Sequence, residues 1–339
     1  MEGTFLKKEK YFLLFYILLI LIILTGCFKD ENQSDIGNKF NEEKVKIKAK
    51  ESREKKFPVK VINYDKTELC IYGKPKKIAS LTLGTDEMLL ELVDEGRVAG
   101  LSGKKADDQI TSNVAEKSKL FPKIENDLEV IISQKSDLVI GSSWIKPGIV
   151  QKLKKIGIPY YGYKTPKTIE EQKQVILDLS KILGEEEKGI NIVKDIDKRL
   201  DRLYKKINEV PHNKKLRVMA YNKYGSSNAK GTIFDDIIQK LGVINVTSEA
   251  GLKKVAKASP EKIIGFNPDV IILLAWEKDD PEKFFEFAEQ FKSNKTFGSV
   301  NAIKNDRVYV MSSKYLTSSS HHIIEGIEVI AEFLYPDIF

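Results

Sequence analysis

The sequence predicts an α/β protein built of two Rossmann-like lobes joined by a long helix. Short apolar strands alternate with helical segments over residues 78–161, the alternation restarts after Pro211, and the two stretches share an internal repeat spaced by 132 residues. Alternation of this kind packs helices on a parallel sheet. A repeat this long means a duplicated lobe, not a solenoid. With 339 residues, 42% of them hydrophobic, the chain has apolar material for two cores.

The elements follow in order. Residues 59–64 and 68–72 flank Asp65-Lys66-Thr67 and read as a hairpin, with 78–81 a following strand. Residues 86–93 have helical spacing, 98–101 are strand-like, 127–134 form a short helix, 137–140 a buried strand and 148–156 a further helix. A helix over 170–183 stops near Gly184, and a longer one runs from 185 to about 210. In it Val193, Ile196, Leu200, Leu203 and Ile207 repeat at steps of 3 and 4, which puts them on one stripe. About 25 residues make a rod of roughly 37 Å, enough to run from one lobe to the other. A coiled-coil dimer is the alternative; so few heptads favour a monomer. The second lobe reads as strand 216–221, helix 232–241, short helix 260–264, strand 270–274, helix 281–291, strand 307–311 and helix 322–334. The expected domains are thus 57–167 for the N-terminal lobe, 168–210 for the connecting helices and 211–339 for the C-terminal lobe.

Residues 1–56 read differently. Lys7, Lys8 and Lys10 precede an unbroken apolar run over 11–24, the charged and apolar parts of a secretion signal. As a helix the run covers roughly 21 Å against about 30 Å of hydrocarbon, so it spans poorly as a permanent anchor. Leu24-Thr25-Gly26-Cys27 then resembles the bacterial lipobox, in which two small residues admit a peptidase and the cysteine receives lipid. Residues 1–26 are expected to be a signal peptide and Cys27 the lipidated first residue of the mature chain, with an uncleaved signal anchor as the alternative. Acyl chains hold a membrane at about 0.8 kcal/mol per buried methylene. Residues 27–56, rich in Lys, Glu, Asn and Asp, read as a flexible charged tether. Cys70, in a strand-like stretch, is expected to be a buried structural thiol.

The formal net charge of +7 comes mostly from scattered Lys. Without clustering against aromatics this reads as a solvated surface, and a nucleic-acid partner is excluded.

The repeat aligns Glu129 with Glu261, Asp137 with Asp269 and Trp144 with Trp276. Each copy is a short helix feeding a buried strand. Trp144 and Trp276 fall just beyond the carboxyl end of that strand, where open parallel sheets bind ligands, so they are candidates to face each other across an interlobe cleft; ordinary loop packing is the alternative. Glu129 and Glu261 sit near helix starts, where helix-dipole capping alone would account for them.

At these residues the chain resembles the iron-siderophore, haem and cobalamin class of solute-binding proteins of ABC transporters, over roughly 57–339. Besides the repeat, the resemblance rests on Pro75–Leu81 leading into Thr85-Asp86-Glu87, on Gly231–Asp236, on Ala302–Tyr309 and on the closing Leu334-Tyr335-Pro336-Asp337. It implies the class III periplasmic-binding-protein fold, with little hinge motion, and a partner ABC permease with its ATPase. It further implies a bulky metal chelate as cargo (a ferric siderophore, haem or cobalamin) and no catalytic activity or cofactor. By similarity Glu129 and Glu261 match the glutamates, one per lobe, that dock into arginine-lined permease pockets, and two carboxylates on two lobes suit a two-fold partner. Ligand candidates are Trp144 and Trp276 by stacking, with Tyr163, Tyr221, Tyr224 and Tyr315 from positions near strand ends. His322 stands where many relatives carry a cleft-facing Arg; helix capping is its alternative role. Cations for an anionic chelate are sought at Lys223 and Lys314. The resulting location is the cell envelope, lipid-anchored on the extracytoplasmic side.

Other classes fit less well. There is no Gly-x-Ser-x-Gly elbow, and His212, His321 and His322 have no nucleophile partner. Residues 96–105 lack the P-loop spacing. Three His are few for a free-ion carrier. A membrane-attached chelatase-like or metallocluster enzyme on a similar two-lobed fold is the enzymatic alternative, and a surface adhesin the non-enzymatic one.

Overall fold

The computed structural model describes residues 57–209, 215–275, 281–317 and 319–339. Cys27 with its signal and tether, His212 and Trp276 lie outside the described residues. Strands β1 (Val59–Ile62) and β2 (Glu68–Ile71) form the expected antiparallel hairpin. It is seated by Asn63, whose Nδ2 donates to the Tyr160 carbonyl while its Oδ1 accepts from the Gly162 N–H. Cys70 on β2 is a free thiol, half-buried rather than buried.

The first lobe holds β3 (Ile78–Ser80), β4 (Val98–Gly100), β5 (Leu138–Ser142) and β6 (Tyr160–Tyr163), all parallel, in the order β4-β3-β5-β6. β3 and β5 are buried along their whole length, as strands covered by helices on both faces must be. The helices are α1 (Leu83–Leu92), α2 (Ala115–Ser118), α3 (Leu128–Ser133) and α4 (Pro147–Lys155). Thr82 and Thr85 close a capping box at the start of α1, which is buried on nearly every side, Asp86 and Glu87 included.

The connector is α5 (Ile169–Leu183) followed by α6 (Glu186–Asn208). α5 ends at Gly184 in the left-handed conformation, φ 70°, the stop that glycine supplies most easily. α6 spans 23 residues, roughly 34 Å, and buries Ile196, Leu200, Leu203 and Ile207 on the predicted stripe.

The second lobe is a mixed sheet. β7 (Arg217–Asn222), β11 (Val270–Ala275) and β12 (Val308–Ser312) are parallel, β8 (Ser226–Asn228) and β10 (Val255–Lys257) extend the sheet antiparallel, and β9 (Ile244–Asn245) pairs with the start of β7. Around it lie α7 (Ile233–Lys240), α8 (Val246–Glu249), α9 (Pro260–Phe266), α10 (Pro281–Ser293), α11 (Asn301–Lys304), α12 (Lys314–Thr317) and α13 (Ile323–Leu334). The fold is therefore two α/β lobes with connecting helices.

The 132-residue repeat is now physical. Asp137, entering β5, accepts the N–H groups of Lys76 and Lys77 ahead of β3 at 2.7 and 3.0 Å; Asp269, entering β11, accepts the Arg217 N–H of β7 at 3.0 Å. Each aspartate fixes its strand beside the neighbouring parallel strand, so this part of the repeat is structural.

Candidate functional site

The strand order of the first sheet reverses between β3 and β5, which makes their carboxyl ends a topological switch point. A cavity of about 600 Å³ opens there. Every strand of that sheet supplies its walls: Leu81–Gly84 after β3, Ser102–Lys105 after β4, Ser142 and Trp144 from β5, Tyr163 and Thr165 from β6, with Glu125, Asn126 and Ser319 completing the rim.

Trp144 is held outward by a tight turn, in which the Ile145 N–H donates to the Ser142 carbonyl at 3.2 Å and the Ser143 N–H to the Tyr163 carbonyl at 2.7 Å. The residue is 66% exposed, so an indole face is open to a solute. Tyr163 forms the buried floor; burial pushes its phenol up, a hydrogen bond to Thr82 opposing. Lys104 and Lys105 are exposed residues of the rim, and Glu125 is also among the residues that line it.

Trp144 and Tyr163 are thus brought together. Tyr221 is not at the cavity: it is packed in the second lobe's core, its ring 5.5 Å from that of Phe291. Tyr224 is exposed in the β7–β8 turn, with the Lys223 Nζ 5.3 Å from its ring. Tyr315 on α12 packs partly into the core, with the Lys314 Nζ 5.2 Å from its ring.

His322 is not at the cavity either. It lines a separate depression of about 480 Å³ where Glu91 of α1, residues of α6 and the start of α13 meet. Its Nδ1 lies 3.4 Å from Glu325 Oε2. Burial opposes its protonation, but the bond to Glu325 and the charges of Glu87, Glu325 and Glu91 prevail, so its pKa is raised. The neighbouring His321, its ring 4.1 Å away, is pushed down to about 4 by burial and by His322.

Glu129 and Glu261 are both exposed, each in the first turn of its short helix. The capping role in the first lobe belongs to Asp127, which accepts the Glu129 N–H at 2.8 Å. In the second, the Ser259 side chain bonds the Glu261 carboxyl and lowers its pKa.

The sequence reading sought cations at Lys223 and Lys314 and passed over Lys104 and Lys105. The available signal was their place: they follow the carboxyl end of β4, where ligands of parallel sheets bind.

The profile of the family described as periplasmic binding protein matches residues 78–315. The chain is 24% identical over 329 residues, 95% of its own length and 96% of the relative's, to the uncharacterized ABC transporter substrate-binding lipoprotein YvrC of Bacillus subtilis (strain 168). It is 23% identical over 302 residues, 86% of each chain, to the Fe(3+)-citrate-binding protein YfmC of the same organism. The fold is also that of the periplasmic heme-binding protein RhuT from Roseiflexus sp. RS-1, with a TM-score of 0.65 at 19% identity over 79% of this chain and 100% of that one.

Proposed function

We propose, from the premise that this chain belongs to the periplasmic binding protein family and is an extracytoplasmic solute receptor of an ABC importer, that its cargo is an anionic metal chelate. The observation that carries this is the cavity at the four parallel strand ends, whose lining includes both the open indole of Trp144 and the exposed Lys104. An indole takes the apolar or flat face of a chelate by stacking. An exposed ammonium group suits the carboxylate, catecholate or hydroxamate oxygens of a ferric siderophore, the propionates of haem or the phosphate of cobalamin. The ferric-citrate and haem names of two relatives favour the same class. The role is capture and delivery, without catalysis.

Delivery is assigned to Glu129 and Glu261, the exposed carboxylates of equivalent helices in the two lobes, as the permease contacts. Cys27 carries the lipid. An anchor there, 29 residues ahead of Phe57, keeps a loaded receptor at the membrane surface that holds the permease. Trp276, equivalent to Trp144 in the repeat, lies outside the described residues and is proposed as a second stacking residue.

The test is tryptophan quenching of the purified protein by ferric citrate, ferric hydroxamate and catecholate siderophores, haem and cobalamin. One of them should bind with a Kd at or below about 1 μM, roughly −8 kcal/mol. If none quenches at up to a hundred times that concentration, the chelate assignment is wrong.

A further inference from the structure

We propose that Asp86 and Glu87, consecutive carboxylates near the start of α1, are positioning residues that set two walls of the solute cavity: Asp86 fixes the Ser102–Lys105 loop, and Glu87 the loop carrying Ser319. The proposal deepens the reading of this cavity as the solute site and rests on it.

Both residues are fully buried. A buried carboxylate carries a desolvation penalty that an apolar residue of similar size avoids, so two in succession call for a specific use. Their hydrogen bonds show what that use is, because they reach out to loops that border the cavity. Asp86 Oδ1 accepts the Ser102 N–H at 3.0 Å and Oδ2 accepts the Ser102 Oγ at 2.5 Å. Ser102 begins the stretch that carries Lys104 and Lys105. Glu87 Oε1 accepts both the N–H and the Nδ2 of Asn113, at 2.9 and 3.2 Å, and Oε2 accepts the Ser320 hydroxyl. Ser320 follows Ser319 on the cavity rim, and Asn113 Nδ2 also donates to the Lys314 carbonyl at 3.4 Å.

A third contact in the same turn is steric. A Cβ on Gly84 would stand 2.7 Å from the Ser319 carbonyl oxygen, so α1 and the Ser319 loop meet backbone to backbone. The turn that caps the helix therefore locates an N-terminal-lobe loop on one side and a C-terminal-lobe loop on the other. Charge-assisted bonds have the directionality such positioning needs.

The charge state of Asp86 supplies a signature. Burial pushes its carboxyl up to about 7, against hydrogen bonds from Ser102 and Ser80, with Glu87 adding to the rise; Tyr163 is the other titratable group facing it. Ionisation strengthens its hold on Ser102. Because the pKa is raised from 3.8 to about 7 on folding, the unfolded chain ionises first, so this group's contribution to stability falls as pH rises from about 4 to about 7 and is level above that. Above pH 7 the hold on Ser102 is therefore strongest while the global stability contributed by this group no longer changes, which separates a local effect at the loop from a global one.

The experiment uses the full chain and compares Asp86→Ala, Asp86→Asn, Glu87→Ala and Glu87→Gln with Leu89→Ala, a fully buried residue of the same helix, as a stability control. Three quantities are read: amide exchange at Ser102 and Asn113 without ligand, the Kd for ferric citrate, and the melting temperature. Asp86→Ala should speed exchange at Ser102 at least tenfold and weaken ferric citrate at least tenfold. Asp86→Asn, which keeps an acceptor for the Ser102 N–H, should recover most of both and abolish the rise in Ser102 protection between pH 6 and 8. Glu87→Ala should free the Asn113 amide similarly, and Glu87→Gln should restore it. Leu89→Ala should lower the melting temperature with exchange at Ser102 and Kd within twofold of wild type. If exchange and Kd simply follow the melting temperature in all five variants, the proposal is overturned. Should Asp86→Ala fail to fold, an unchanged pH profile of Ser102 protection in Asp86→Asn overturns it. If wild type binds no ferric citrate, the cargo reading has failed for that chelate, and the ligand-free exchange still decides the positioning role.

Discussion

Replacing Trp144 by Ala isolates the stacking contribution, because the residue does little for the fold. It is 66% exposed. Of roughly 200 Å² on a tryptophan side chain, about 130 Å² is then open, and a solute on one face of the indole covers about half of that. At about 25 cal/mol per Å², the 65 Å² covered contributes roughly 1.6 kcal/mol, or about 15-fold in Kd. Stability should scarcely move, since a surface truncation away from the core stays within about 0.5 kcal/mol. Calorimetric titration is the assay, because the substitution removes a fluorophore. A 10- to 30-fold weaker Kd with an unchanged melting temperature is expected. A Kd within twofold of wild type for every chelate that wild type binds would refute the stacking reasoning, and a matching drop in melting temperature would mean that Trp144 is a packing residue.

Three further outcomes are expected of the same molecule. Glu129→Ala combined with Glu261→Ala should leave solute Kd unchanged and abolish uptake by cells; an equal fall in binding would move both residues from docking to the cleft. His321 is held at about 4 against 6.5 unfolded, so the unfolded chain takes up the proton first, and the stability from this group is present above about pH 6.5 and lost as pH falls toward 4. The difference corresponds to about 3 kcal/mol, and His321→Asn should flatten the melting-temperature profile over that window relative to wild type. Gly326→Ala would put a Cβ 1.8 Å from the Tyr315 carbonyl oxygen, an overlap neither backbone can relieve locally. Urea denaturation should show a loss of about 3 kcal/mol or more.

Long periodic elements were legible in the sequence, because 3.6-residue spacing and terminal signals act over a dozen residues. The stripe on α6 and the Gly184 stop are where the spacing puts them. Strands β8, β9 and β10 were not, since two or three residues cannot display alternation. Trp144 lines the cavity because it follows a strand end, a position the sequence does display. Tyr221 lies away from this cavity because its side chain packs into the core of the second lobe. His322 shares a depression with α6 and α1, a meeting of three distant segments that no local pattern encodes. Asp86 and Glu87 gave no local sign of burial, since their partners lie 16 and 26 or more residues away.

The apolar layer containing Ile78 and Leu138 of the first sheet runs through Ile176 and Ile196 of the connector to Val218 and Ile272 of the second sheet. Opening a hinge that exposed even 200 Å² of this layer would cost about 5 kcal/mol, comparable to the net stability of a domain. The loops at the cavity are tied by hydrogen bonds contributing about 1 kcal/mol each, so occupancy is registered most easily there. One such path is short. Ser102 accepts the Glu125 N–H at 3.0 Å; Glu125 and Asn126, both on the cavity rim, hold consecutive left-handed conformations at φ 47° and 62°; and the next residue, Asp127, caps the helix that presents Glu129. Left-handed non-glycine residues persist only where their surroundings hold them. The helix that presents Glu129 is thereby mounted directly on the rim of the cavity.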